Sequence, residues 1–233
     1  MRYLKAFIML SLLLFFLTAC QASTLTDSDP SDQGASHAAN DRTAQAAENN
    51  PAAIQISGPM TVSHNSLFSY LGVDIDLDVA LIEGSYYEDW NPGALMGRNW
   101  QGSFQFVIRD GSGNVLRQFD IDRSFFQQVN EIFELSFADY NGDGDIDFAL
   151  GQYGTSNGNY YQLYTIREDY SIERLDIADR QHLFASGGSR HAIEFEPWGD
   201  AGFKLEYYDN SAGKTFTNHY AWTNNHFKSA SEQ

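Results

Sequence analysis

The stretch Asp139-Tyr140-Asn141-Gly142-Asp143-Gly144-Asp145-Ile146-Asp147 puts oxygen-bearing side chains at positions 1, 3, 5 and 9, with glycine at position 6. A hard cation such as calcium takes roughly six to eight oxygens converging on one point. Alternate side chains of a tightly turned loop can face inward together, and the glycine permits the sharp reversal. Asp139, Asn141, Asp143 and Asp147 are therefore the expected side-chain ligands. Asp145, at position 7, is expected to give its backbone carbonyl. Four carboxylates in so short a segment repel one another unless something neutralises them. Position 12 is Leu150, where an EF-hand needs a bidentate glutamate, so this is not an EF-hand.

A second chemical position is Cys20, the sole cysteine, which excludes an internal disulfide framework, Cys-based zinc knuckles and CxxC redox chemistry. It follows Arg2, Lys5 and an apolar run from Ala6 to Leu17 broken by one serine. That run is about 18 Å long as a helix, short of a ~30 Å hydrocarbon core, and fits a signal peptide better than a membrane span. Leu17-Thr18-Ala19-Cys20 resembles a bacterial lipobox. The resemblance implies cleavage before Cys20, lipid on its sulfur, and a cell-envelope location on the extracytoplasmic face. Removing residues 1–19 deletes two cations and no acid, taking the formal charge from −17 to −19. Attachment to an anionic membrane must then come from the acyl chains. The same charge argues against nucleic acid as a partner.

The elements that must position the loop follow from the rest of the chain. Residues 21–52 hold no aromatic side chain and one leucine, Leu25, and read as a disordered tether. From residue 53 to 233 the texture is that of a single β domain. Strands are expected at 78–87, 103–109, 115–121, 133–137, 148–153, 160–166, 171–177, 192–196, 203–208 and 215–222. Hairpin turns are expected at 110–114, at Ser156-Asn157-Gly158-Asn159 and at 209–213. Short helices are expected after Asp122 and within 177–185. The fold class is mostly β: an antiparallel sandwich or partly closed barrel with one or two short helices.

The spacing D-x-[DN]-x-D-G-x-x-D leading into a strand resembles the calcium loops of FG-GAP and VCBS repeats, whose ligand positions match Asp139, Asn141, Asp143 and Asp147. Those families repeat the loop once per propeller blade and this chain carries it once, so a propeller is not expected. A calcium loop in a lipid-anchored β domain is also similar to the calcium-binding periplasmic lysozyme-inhibitor family, which implies protection of the envelope against a lysozyme-like enzyme; an envelope protein or a glycan is the wider expectation for a partner.

Catalytic signatures are missing. Gly154-Thr155-Ser156-Asn157-Gly158 spells G-x-S-x-G but sits in an expected hairpin turn instead of a strand-to-helix elbow; there is no H-E-x-x-H and no glycine-rich phosphate loop, and His64, His182, His191, His219 and His226 are scattered. The chain is expected to act by binding instead of turnover. Its 15% aromatic content leaves a glycan-binding module or a cell-wall hydrolase as alternatives. Trp90 and Trp100 are the possible ligand-binding aromatics, Trp90 in particular because Trp90-Asn91-Pro92-Gly93 reads as a loop.

Overall fold

The computed structural model describes residues 53–93, 95–129 and 132–230. In chain order it runs β1 (Ile54–Ile56), β2 (Met60–Ser66), α1 (Phe68–Leu71), β3 (Ile75–Asp89), β4 (Gly97–Asp110), β5 (Val115–Ile121), β6 (Phe125–Gln128) and β7 (Phe137–Ala138). It continues with β8 (Ile146–Thr155), β9 (Gly158–Ile166), β10 (Ile172–Ile177), β11 (Leu183–Ala185), β12 (Glu196–Pro197), β13 (Gly202–Asp209), β14 (Lys214–Thr223) and β15 (His226–Ala230).

The first sheet is built on the long β3/β4 hairpin, with β1 and β2 along β3 and β5 and β6 along β4. The second runs β12-β13-β14-β15-β10-β9-β8-β7, with β11 on β9. It is antiparallel except where β15 lies parallel to β10, Asp176 beside His226. The mostly-β expectation holds, as a two-sheet arrangement whose second sheet curls into a half-barrel.

Strand periodicity explains the two cores. Leu77, Val79, Leu81, Phe104, Phe106 and Ile108 face Phe148, Leu150, Tyr164 and Ile166 across the two sheets. On the other face of β8 and β9, Ala149, Tyr161 and Leu163 pack with Phe203, Leu205, Tyr220 and Phe227 inside the curl. Alternation along β8 and β9 thus serves both cores, because side chains switch face at each residue. Gly84 and Gly102 are opposed in the β3/β4 ladder at φ 147° and 145°. A Cβ on either would lie 2.0 Å from a facing carbonyl oxygen.

Three expectations are corrected. The residues after Asp122 form β6, not a helix: pairing with β4 satisfies their backbone, and Phe126 buries against Phe104 at 4.7 Å. Residues 177–185 hold a turn and the three-residue β11, which closes on β9. Only Glu196–Pro197 of the 192–196 segment joins a ladder. Ala192 and Phe195 instead drop into the two cores from irregular backbone. The one helix among the described residues is the single turn α1, where the sequence signals none.

Candidate metal centre

Residues 139–147 connect β7 to β8. The ladder pairs Ala138 with Asp147 and Asp147 with Thr165, which fixes both ends of the loop on the half-barrel. Tyr140 anchors it from inside. That ring is buried between Phe195 and Phe203, centroids 5.4 and 5.7 Å away, and its hydroxyl accepts the Phe195 N–H at 3.2 Å. Burial pushes the Tyr140 phenol up to about 12. Gly142 and Gly144 take φ of 74° and 89°, the left-handed region where glycine carries no Cβ penalty.

The loop acids are turned onto their own backbone. Gly142 and Gly144 N–H groups donate to the two oxygens of Asp139 at 2.7 and 3.0 Å. Asp143 N–H donates to Asn141 Oδ1 at 3.1 Å, and Asp145 N–H to Asp143 Oδ1 at 3.0 Å. The Asn141 amide donates to Asp143 Oδ2 at 2.8 Å. These bonds hold each carboxylate at a fixed angle, as local side-chain acceptors do in turns.

Asp147 is different. It points from β8 into the curled face and is fully buried. Its Oδ2 accepts the Tyr140 and Asn141 N–H groups at 2.8 and 3.3 Å. Its Oδ1 has no hydrogen-bond partner, nor does the hydroxyl of the adjacent Thr165. Burial pushes the Asp147 carboxyl up to about 7, and the Asp143 charge adds to this. The Thr165 hydroxyl and the two backbone N–H groups pull it back only in part.

The cation the structure does supply is Arg167, in the turn after β9. Its Nη1 donates to Asp143 Oδ2 at 2.7 Å and Asp145 Oδ2 at 2.9 Å, and its Nε to Glu173 at 2.9 Å. The Asp145 hydrogen bond leads the contacts that push the Arg167 guanidinium up. Partial burial opposes ionising Asp143, but the Asp145 N–H and Arg167 outweigh it and hold that carboxyl below its ordinary range. Among the described residues no three His, Cys, Asp or Glu side chains gather closely enough to hold a metal ion. Asn141 and the Asp145 carbonyl are oxygen donors outside that count. Arg167, which neutralises the loop, is not among the residues the sequence singled out.

Arg167→Ala should therefore destabilise the calcium-free protein by about 1–2 kcal/mol, since three acids lose one bidentate partner at a half-exposed site. The loss should be smaller with calcium present. A thermal melt in chelator identical to the unsubstituted protein's would leave Arg167 with no neutralising role.

The other sequence candidates do not join this site. Trp90 is half exposed in the β3/β4 loop, its indole donating to Glu88 at 2.9 Å with Arg98 over its ring at 5.6 Å. Trp100 is 1% exposed and belongs to the inter-sheet core, so it presents no face to a ligand. His64 pairs with the buried Asp78 at 2.7 Å, and Arg109 holds the other Asp78 oxygen at 3.1 Å. His191 lies between the sheets, stacked on Phe133 at 4.4 Å. Cys20 lies outside the described residues. No family model matches the chain, nor does any curated protein or solved structure.

Proposed function

We propose that this chain is an exported, lipid-anchored β domain that acts by binding in the cell envelope, with one calcium ion clipping its 139–147 loop. The observation that carries the calcium is Asp147, a buried carboxylate with one oxygen left without a partner at the base of an acidic loop. Such a group is costly unless a charge meets it. The donor set is all oxygen, the chemistry calcium prefers. Asp139, Asn141, Asp143 and Asp147 would hold the ion through their side chains and Asp145 through its carbonyl. Calcium would supply charge neutralisation and tie β7 to β8. The anchor rests on the Leu17–Cys20 resemblance and the export reading on residues 1–17.

Calcium sites of extracellular modules bind with Kd of ~10⁻⁴–10⁻³ M, which at ~1 mM free ion is worth about 0.4–1.4 kcal/mol. The melting temperature of the full chain should accordingly rise by about 1–5 °C in calcium relative to chelator. Asp143→Ala should abolish that rise. A melt that does not move across millimolar calcium would remove the ion from this reading.

A further inference from the structure

A large opening lies apart from the acidic loop. It is a cleft of about 630 Å³ between the sheets, where β4 and the turn after β5 stand away from β8, β9 and the segment before β11. A second cavity of about 310 Å³ shares Asp120, Asp122, Gln162 and Arg174 with it and continues toward the core. These volumes are those of small-molecule sites, roughly 300–1,000 Å³.

Its lining is unlike what sheet packing alone asks for. Along β9 the residues facing the first sheet are Tyr160, Gln162, Tyr164 and Ile166, so a carboxamide interrupts an apolar row. Gln162 is 6% exposed, and its Oε1 accepts the Tyr164 hydroxyl at 3.0 Å. Gln152 on β8 stands opposite Tyr160 and Arg174 on β10 opposite Tyr164, one step to either side of Gln162, where apolar side chains would have closed the sandwich. Asp122, in the turn after β5, faces them from the other wall. Phe106, Phe119 and Tyr164 wall the inner cavity.

Several of these groups are held before any ligand arrives. Arg174 donates to the Gln181 carbonyl at 2.7 Å, and the Gln162 amide oxygen is held by the Tyr164 hydroxyl. Arg123 donates to the Gly151 and Leu150 carbonyls. With Arg123 turned to those carbonyls, the charges left to the cleft are Asp122 and Arg174, one of each sign, so its lining is close to neutral in a chain of charge −17. A phosphorylated or polycationic ligand would find no matching field there. Planar amides, a carboxylate and a guanidinium beside aromatic faces are complementary to hydroxyl groups above a C–H surface.

We infer that this inter-sheet cleft binds a neutral oligosaccharide, with Gln162, Asp122 and Arg174 taking its hydroxyls and the aromatic wall its apolar face. This rests on the binding reading above and is independent of calcium. The test is calorimetry of the full chain with maltotriose, cellotriose and chitotriose, in calcium and again in chelator. At least one trisaccharide should bind with Kd of about 1 mM or tighter. Asp122→Ala and Gln162→Leu should each weaken it about tenfold, the scale of one lost buried hydrogen bond. Asp122 is exposed, so its variant decides the matter if Gln162→Leu fails to fold. No heat with any of the three sugars, binding untouched by Asp122→Ala, or competition by inorganic phosphate or trilysine would each overturn the inference. Sugar binding that persists in chelator with no calcium effect on melting would sustain the cleft and sink the ion.

Discussion

Asp147→Asn should make the calcium-free protein more stable above pH 7, the reverse of what substituting a buried, hydrogen-bonded side chain ordinarily does. The carboxyl is pushed up to about 7 when folded, chiefly by burial. In the unfolded chain it titrates near 4. A group whose folded value is raised contributes stability below its unfolded value and loses it as pH rises through the folded one. Charging Asp147 inside the half-barrel therefore costs on the order of 3–4 kcal/mol above pH 7, reached gradually between about pH 4 and 7. Asparagine keeps an acceptor for the Tyr140 and Asn141 N–H groups and never ionises. Its amide can also donate to the adjacent Thr165 hydroxyl. Denaturant melts at pH 8 in chelator should show the variant ahead by a few kcal/mol, narrowing to little or nothing by pH 4. Calcium should reverse the order, because an ion that neutralises Asp147 relieves the wild type and has less to hold in the variant. A variant less stable than wild type at pH 8 in chelator would mean that Asp147 is already compensated within the protein.

Most of the strands were legible because their side chains alternate and their turns carry Gly, Asn and Asp. The β4/β5 and β13/β14 hairpins form at the expected turns, and the β8/β9 turn tightens to Ser156–Asn157 with Thr155 opposite Gly158. The helix expected after Asp122 failed for a reason visible in the fold. Phe125 and Phe126 fit either period, and an edge of β4 was available to pair with them. The parallel contact of β15 with β10 was not legible, since nothing local marks a partner about fifty residues away. Arg167 was within reach. Once the turn sets Ile146 opposite Ile166, the next residue along β9 must fall beside Asp145. The cleft was out of reach, because it exists only through how two sheets diverge. Gln162 alone, a polar residue at an inward position of an otherwise apolar strand, was its one trace in the sequence.

Acid should weaken this fold through His191, and the clean measurement is in calcium. The imidazole is 2% exposed between Phe126 and Phe133, with Nε2 2.9 Å from the Gln127 carbonyl on β6 and Nδ1 3.2 Å from the Gly151 carbonyl on β8. Burial pushes it down to about 3. The two carbonyls resist that shift, and the Arg123 and Arg190 charges reinforce it. A depressed folded value means that the contribution is whole above the unfolded value of about 6.5 and is lost as pH falls toward 3. The slope approaches 1.4 kcal/mol per pH unit within that window, a total on the order of 4 kcal/mol. In chelator this loss runs against Asp147, which takes up its proton between about pH 7 and 4 and stabilises the fold as pH falls, so the wild-type curve should be nearly level there. Calcium bound as proposed would hold Asp147 ionised and remove the opposing gain, exposing the histidine slope. His191→Phe keeps the ring stack and removes one N–H donor, while Arg190 and Arg123 still donate to the Gln127 and Gly151 carbonyls, a cost of about 0.5–1.5 kcal/mol at neutral pH. Its stability in calcium should then fall less steeply with acid, and the gap to wild type should close or reverse by pH 4. Parallel curves for the two proteins from pH 7 to 4 would mean that His191 titrates alike folded and unfolded, and that the junction between the sheets tolerates a buried charge.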